Sequence, residues 1–134
     1  MTAEDLYKYA DSHNIAIFKY DVPYQSLSVC IDGTYAIATT DAMTSSTGNE
    51  KICLAHELGH CETGSFYNEY TPFDIRNKHE RTADKWAVEK LVTADELHDA
   101  VCMGYTEMWE LAEYFDIPQE FMQKIVCYYE GLEW

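Results

Sequence analysis

The sequence predicts an α+β fold, and three patterns support this prediction. Two segments with helical periodicity place histidine and carboxylate side chains on one face, a two-residue turn joins alternating apolar runs, and capping motifs mark the starts of several helices. The chain order is helix, strands, then helices. We therefore expect a small antiparallel sheet or hairpin packed on a helical core, followed by a C-terminal segment that resembles a helix-turn-helix.

Length and composition favour one domain over residues 1–134. A chain of this size can bury a single hydrophobic core without disulfides, and its 5 cysteines are odd in number and lack framework spacing. We divide it into an α/β core at residues 1–91 and a helical segment at residues 92–134 that packs on this core. The start of the chain is acidic and no long apolar run occurs, so we expect a cytoplasmic protein without a signal peptide or a membrane span.

The amino-terminal third predicts a helix and a β-hairpin. Residues 2–12 have amphipathic periodicity, and Thr2 followed three residues later by an aspartate is a helix-start signal. Residues 15–18 alternate as a strand does. The dipeptide Asp32-Gly33 lies between the apolar runs 27–31 and 34–38 and is a strong signal for a two-residue hairpin turn.

Capping motifs define the later helices. Residues 47–50, with the sequence TGNE, form a predicted capping box at the start of a helix that Gly64 ends. The following residues 65–77 are rich in tyrosine, and we expect a loop there. A second capping box opens a helix over residues 93–103, and Thr106 starts another.

Residues 111–125 have the rhythm of a helix-turn-helix, with two amphipathic helices across a tight corner. A second helix that reads DNA should expose Arg, Lys or Asn. This one offers Gln119, Glu120, Gln123 and a single basic side chain, Lys124, in a chain whose formal charge is −15. Because such a chain repels nucleic acid, we expect the segment to pack on the core or to dock a protein partner.

Residues 56–60, with the sequence HELGH, predict a metal site on the helix that begins near residue 47. In a helix each residue turns about 100°, so His56 and His60 point the same way and can bind one metal ion. Glu57 is offset around the same rim, where it can reach water on the metal without ligating the metal itself. This spacing is typical of zinc hydrolases in which a glutamate is the general base.

Glu80 is the predicted third ligand. It shares a helical stripe with Asp84 and with apolar residues, and an acidic pair there is costly to bury unless a positive charge faces it. Zinc held by His56, His60 and Glu80 would supply that charge. We expect Asp84, one turn later, to accept the ring N–H of a ligand histidine, most simply His56. An ordinary solvated pair of carboxylates is the alternative interpretation.

Other metal schemes fit the sequence less well. The extended pattern HExxHxxGxxH fails because Thr63 and Phe66 stand where its glycine and third histidine should be. No CxxC pair occurs, so a cysteine zinc knuckle is not supported. Cys53 can line the cleft, whereas Cys61 falls on the opposite helix face and is expected in the core. The other histidines have no partner at ligand spacing and are expected at the surface: His13, His79 and His98.

Residues 54–60 and 80–91 resemble the ImmA/IrrE family of small bacterial zinc metallopeptidases. The first segment reads LAHELGH; the second reads ERTADKWAVEKL and is similar to the family motif Glu-x-x-Ala-(Asn/Asp)-x-aromatic-Ala. Order and character are similar over residues 28–128. The chain departs from the family after the second motif, where Leu91-Val92-Thr93 stands in place of a frequent Leu-Met-Pro.

The resemblance implies a biological role that the residues by themselves do not identify. It implies site-specific cleavage of a helix-turn-helix transcriptional repressor of a prophage or integrative element, which would derepress the operon. A repressor is basic where it meets DNA, so an acidic surface would favour it as a partner. Many bacterial cytosolic proteins are simply acidic, and this is the alternative explanation of the charge.

The predicted chemistry is metal-assisted peptide hydrolysis. Zinc activates water and polarises the scissile carbonyl, while Glu57 takes the proton and passes it to the leaving amine. A further donor to the oxyanion is expected, with Tyr67, Tyr70 and His79 as candidates. The sheet edge along residues 34–39 is expected to border the cleft and to bind substrate as an added strand.

Two alternatives use the same residues. The chain could be a non-hydrolytic zinc-containing protein that binds and sequesters a repressor, but a structural site does not require the carboxylate of Glu57, and many such sites close their fourth position with a protein ligand. A broad-specificity peptidase is the other alternative, and so short a chain leaves little room for the deep cleft it would use.

Overall fold

The computed structural model describes residues 1–20, 26–68 and 70–131. In these residues six α-helices accompany a three-stranded sheet, and the predicted α+β class is confirmed. The elements in chain order are α1 (Ala3–Ser12), β1 (Ala16–Lys19), β2 (Ser26–Ile31), β3 (Thr34–Thr39), α2 (Thr47–Thr63), α3 (Phe73–Leu91), α4 (Ala94–Cys102), α5 (Met108–Phe115) and α6 (Gln119–Glu130). A short 3₁₀ helix, Met43–Ser45, precedes α2. None of the helices described here is both long and apolar enough to cross a membrane.

The sheet is mixed, with the strand order β1-β3-β2. β2 and β3 form the predicted antiparallel hairpin, and Asp32 and Gly33 both have positive φ angles, 51° and 77°, as a type I′ turn requires. β1 pairs parallel to β3, with Ala16 opposite Ala36, so the sheet is not purely antiparallel. Alternation of side chains predicts a strand but carries no information on the direction of its partner.

The edge strand that lies against α2 is β2, and the expectation that residues 34–39 form this edge is wrong. β3 is paired on both sides, by β1 and by β2. Ile37 in β3 is fully buried, as a central strand between two neighbours and a helical layer requires. β2 instead alternates serine with apolar residues, and Ser26 and Ser28 face α2.

Three predicted helix boundaries are confirmed. Thr2 and Thr93 cap α1 and α4 with complete capping boxes. Gly64 ends α2 in the left-handed conformation, with a φ of 66°, which favours glycine. These boundaries depend on short-range contacts, which is why the sequence predicts them well.

The N-cap of α2 lies one residue before the predicted capping box at residues 47–50. Ser46 is the N-cap, and its hydroxyl accepts a hydrogen bond from the Asn49 amide. The Thr47 hydroxyl instead donates to Asp116 Oδ2 at 2.6 Å, a contact with the C-terminal helices. The Thr47 side chain, which the capping motif assigns to the N-cap, is therefore bound by a residue far along the chain.

Two further boundaries differ from the predictions. α3 begins at Phe73, inside residues 65–77 that are predicted as loop, directly after Pro72. Asp74 in its first turn favours a helix N-terminus, so a local signal for this start was present. α5 begins at Met108 rather than at Thr106.

α5 and α6 form the corner predicted over residues 111–125. Asp116 ends α5 in the left-handed conformation, with a φ of 53°. The corner rests on the first turn of α2, where Thr47 donates to Asp116 and the buried Lys51 ammonium donates to the Phe115 carbonyl. The C-terminal helices therefore support the helix that carries the HELGH motif.

α2 and α3 approach each other very closely. A Cβ added at Gly59 would lie 2.5 Å from the carbonyl oxygen of Ala83, a distance that real side chains do not reach. Glycine at this position therefore sets the separation of the two helices. The hydrophobic core continues around this contact through fully buried side chains: Leu6, Ile37, Leu54, Leu58, Val88, Met122 and Ile125.

Candidate metal centre

Three side chains converge between α2 and α3. The Nε2 atoms of His56 and His60 lie 3.2 Å apart, and the two oxygens of Glu80 face them at 2.8 Å and 3.2 Å. Among the described residues, this is the one group of three or more His, Cys, Asp or Glu side chains whose ligand atoms all lie within 4.8 Å of one another. The group can hold a metal ion.

Local helix geometry and one close packing contact produce this convergence. His56 and His60 are one turn apart on α2, so their rings share a face. Glu80 lies in α3, and the contact of Gly59 with Ala83 brings α3 within reach of both rings. The glycine of the HELGH motif is therefore as important for the position of Glu80 as the helix spacing is for the two histidines.

The ring of His60 is oriented by the residue that follows α2. His60 is 5% exposed, and its Nδ1 lies 2.6 Å from the Ser65 carbonyl oxygen. Because a carbonyl oxygen only accepts, Nδ1 carries the proton of this bond, and in the neutral ring Nε2 presents a lone pair. That lone pair faces a Glu80 oxygen at 3.2 Å. Two electron-pair donors facing each other at this distance fit a cation placed between them.

Asp84 holds the ring of His56. Its Oδ1 lies 2.7 Å from His56 Nδ1, the contact expected from the sequence. Burial lowers the pKa of His56, but the hydrogen bonds to Asp84 and Glu80 outweigh burial and raise this pKa to about 10. Burial raises the pKa of Glu80, but the hydrogen bonds from His56 and Tyr67 and the charge of His56 lower it overall. The site therefore favours positive charge at its centre.

Lys124 of α6 reaches the same carboxylate. Its Nζ lies 3.2 Å from Asp84 Oδ2, while His56 occupies the other oxygen of Asp84. Burial raises the pKa of Asp84, but the hydrogen bond with His56 and the charges of His56 and Lys124 lower it overall. Asp84 thus connects His56 on α2 to Lys124 on α6.

Glu57 lies beside the three-residue group. It is 6% exposed, and both of its oxygens accept hydrogen bonds from β2: Ser26 Oγ lies 2.6 Å from Oε2, and Ser28 Oγ lies 2.9 Å from Oε1. Its carboxylate lines the same cleft as the three grouped side chains without belonging to that group. A carboxylate in this position can exchange protons with a molecule in the cleft.

A cleft of about 540 Å³ lies in front of the group. It is lined by residues 26–28 of β2, residues 65–68 after α2, and Arg76 of α3, together with the site residues. The guanidinium of Arg76 lies 5.7 Å from the centre of the Tyr67 ring. A sheet edge therefore borders the cleft, and that edge is β2.

The three candidates for an oxyanion donor differ in their placement. The Tyr67 hydroxyl donates to Glu80 Oε1 at 2.7 Å, and burial together with this hydrogen bond raises the pKa of Tyr67 to about 12. Tyr70 is 85% exposed. His79 stacks on the Tyr67 ring, with 6.5 Å between centroids. Of the three, Tyr67 is the one that contacts a grouped side chain.

The other histidines and cysteines considered from the sequence are not members of the three-residue group. His13 follows α1, and His98 lies on the exposed side of α4, 3.5 Å from the sulfur of Cys102. Cys61 is buried in the core, as predicted. Cys53 is half-buried and is not among the described residues that line the cleft.

Sequence reasoning missed four residues that hold the site: Ser26, Ser28, Ser65 and Lys124. The two serines of β2 carried a signal, because residues two apart in a strand share a face, and two hydroxyls on one face next to the metal helix can bind a carboxylate. Ser65 acts through its backbone carbonyl, which no side-chain pattern reveals. Lys124 is far from Asp84 in sequence and has no local signal.

Comparisons with protein-family models, with curated proteins and with solved structures give no match for this chain. The resemblance to the ImmA/IrrE family therefore stays a prediction. The function is inferred below from the geometry of the site.

Proposed function

We propose that this chain is a zinc-dependent endopeptidase. One observation carries the proposal: two imidazole nitrogens and a carboxylate converge, and the buried Glu57 carboxylate lies beside them without joining them. Two histidines and one glutamate form a ligand set of catalytic zinc sites, which keep a position for water or substrate. A site that served only stability would not require the additional carboxylate.

The donor atoms favour zinc. With Zn–N bonds of about 2.05 Å, two nitrogens on a tetrahedral ion are roughly 3.3 Å apart. The Nε2 atoms of His56 and His60 are 3.2 Å apart. Magnesium and calcium prefer ligand sets made of oxygen atoms, whereas imidazole suits zinc. We therefore name zinc as the ion, with one ion per chain.

The residues around the ion have distinct roles in peptide hydrolysis. Zinc, when bound, supplies a Lewis acid that activates water and polarises the scissile carbonyl. Glu57 accepts a proton from the attacking water and delivers it to the leaving amine. The Tyr67 hydroxyl, which donates to Glu80 in the structure, would turn from that carboxylate to the oxyanion once Glu80 binds the ion. The outer edge of β2 at residues 26–28 binds the substrate backbone as an added strand.

The proposed substrate is a helix-turn-helix repressor of a prophage or integrative element, cleaved in the cytoplasm. The resemblance of residues 54–60 and 80–91 to the ImmA/IrrE family supports this class. The formal charge of −15 supports it as well, because it complements a basic DNA-binding protein. Direct nucleic-acid binding is not part of the proposal, since the single basic side chain of α6, Lys124, is paired with Asp84.

The test is incubation of the zinc-loaded protein with the repressor encoded by a neighbouring gene and, separately, with casein. Cleavage of the repressor at one site, with casein intact, is the expected result. Glu57→Gln should keep zinc and lose cleavage. Glu62→Gln, the same change at an exposed position of α2, should keep both.

The other outcomes each contradict a part of the proposal. Binding of the repressor without cleavage would favour the sequestering protein, and digestion of casein at many sites would favour a broad-specificity peptidase. A Glu57→Gln variant that cuts at the wild-type rate would show that Glu57 is not the base.

A further inference from the structure

Both oxygens of Glu57 are held by hydroxyl groups of one strand. Ser26 Oγ donates to Oε2 at 2.6 Å and Ser28 Oγ donates to Oε1 at 2.9 Å, so the plane of the carboxylate is fixed at two points. The serines alternate along β2 and therefore present both hydroxyls on the face towards α2. They come from a segment 29 to 31 residues away in sequence, so the arrangement is tertiary rather than local.

These two hydrogen bonds leave Glu57 able to act on a further group. An ionised carboxylate has about four lone-pair sites, and the two serines use one on each oxygen. The remaining sites can accept a proton donor in the cleft that Glu57 lines. Without the serines, a buried carboxylate would have to rotate towards other donors or take up solvent.

We propose that Ser26 and Ser28 are positioning residues, which hold the Glu57 carboxylate in the orientation that proton transfer requires. The same strand forms the cleft edge, with Leu27 between the serines also lining the cleft. A peptide that pairs with this edge is therefore aligned by the strand that aligns the base. This inference rests on the proposed peptidase function, and it names residues of that site beyond the metal ligands and the base.

The alternative is that the hydroxyls only satisfy a buried carboxylate and support the fold. The two roles differ in what is lost on substitution. A positioning role predicts a lower kcat with KM and zinc content preserved. A supporting role predicts a loss of folded protein or of zinc, with the remaining folded enzyme fully active.

The experiment compares Ser26→Ala, Ser28→Ala and the double variant with the wild-type chain. The probe is a pool of quenched fluorescent decapeptides randomised at their central positions, which presents extended segments of many sequences. We expect the double variant to lose about 10- to 100-fold in apparent kcat, the usual effect of removing outer partners of a metal site. Apparent KM, zinc stoichiometry and thermal midpoint should stay close to wild type. Thr39→Ala removes a hydroxyl from the neighbouring strand, opposite Ser26, and should change nothing.

A second measurement does not depend on activity. In protein labelled with ¹³C at glutamate carboxyl carbons, the Glu57 resonance is assigned by its loss in Glu57→Gln. This resonance should move in the double alanine variant and return towards its wild-type position in Ser26→Thr and Ser28→Thr, which keep the hydroxyls. A resonance that stays in place, or a double variant with wild-type kcat, would overturn the inference. If wild type cuts neither these peptides nor the repressor encoded by a neighbouring gene while the resonance still moves, the peptidase proposal fails and the serine contacts stand.

Discussion

Substitution of Gly59 by alanine tests the link between helix packing and metal binding. The added Cβ would lie 2.5 Å from the Ala83 carbonyl oxygen and 3.0 Å from its Cα. Restoring an ordinary contact of about 3.4 Å requires a shift of about 0.9 Å between α2 and α3. Since the opposing atoms belong to the backbone, no side-chain rotation can relieve the contact.

The expected effect on stability is the difference between two terms. Overpacking of a close contact costs about 1–3 kcal/mol, and a clash with backbone belongs at the upper end of that range. Replacing glycine by alanine within a helix stabilises the folded state by about 1 kcal/mol, because alanine has the higher helix propensity. The net loss in the free energy of unfolding is therefore about 2 kcal/mol, or roughly 8 °C in the thermal midpoint of the metal-free protein.

The Gly59→Ala variant should also bind zinc more weakly. Metal–ligand distances in protein sites keep within about 0.2 Å of their preferred values, so a shift of about 0.9 Å between the helices moves Glu80 out of place. Zinc affinity, measured by competition with a chromogenic chelator, should fall by more than tenfold. Ala83→Gly should not rescue the variant, because its backbone atoms remain.

Gly48, also in α2, provides a matched control for the Gly59 substitution. Gly48→Ala places a Cβ 3.2 Å from Asp116 and Pro118, a milder contact away from the metal ligands, and should leave zinc affinity unchanged. A Gly59→Ala protein with wild-type stability and zinc affinity would show that the close approach of the helices is not required.

Three other predictions concern the metal ligands and their surroundings. Asp84→Asn should weaken zinc binding by about 10- to 100-fold because it loosens the His56 ring. Asp99→Asn, at an exposed position of α4, should leave zinc binding unchanged. Equal zinc affinities of the Asp84→Asn variant and the wild-type chain in a chelator competition would contradict the role of Asp84. Tyr67→Phe should lower kcat by about 100- to 1,000-fold with zinc retained, as loss of an oxyanion donor does, and Tyr70→Phe, which changes an exposed ring, should be neutral in the same peptide assay. Zinc binding at pH 7.5 should release about one proton, since the pKa of His56 raised to about 10 keeps the ring protonated until zinc displaces that proton. The release should decline as pH rises through 10, and calorimetry in buffers of different ionisation enthalpy measures it; zero release at pH 7.5 would contradict the assignment.

The parts of the site that depend on helix periodicity were predictable from the sequence. His56 and His60 converge because four residues make about one turn. Glu80 and Asp84 are related by the same spacing on α3, so the position of one implies the face of the other. The hairpin was also predictable, because Asp32-Gly33 adopts two positive φ angles that few other dipeptides tolerate.

The parts that depend on contacts between distant segments were not predictable. The order of the strands depends on how they pack together and against α2. The alternation of side chains within residues 34–39 could not show that β3 is the central strand rather than an edge strand. The capping box at residues 47–50 failed because Asp116, far along the chain, takes the Thr47 hydroxyl. The partners of Glu57 escaped notice for the same reason, since Ser26 and Ser28 come from a separate strand.

The C-terminal helices have a practical consequence for anyone who shortens this protein. Thr47 and Lys51 anchor the beginning of α2 to the α5–α6 corner, and Lys124 pairs with the carboxylate that steadies His56. A fragment that stops at residue 91 would keep every proposed ligand in its sequence and lose one partner of each of these three contacts. The smallest engineered version able to hold an ion at this site should therefore include both terminal helices, even though neither contributes a proposed ligand.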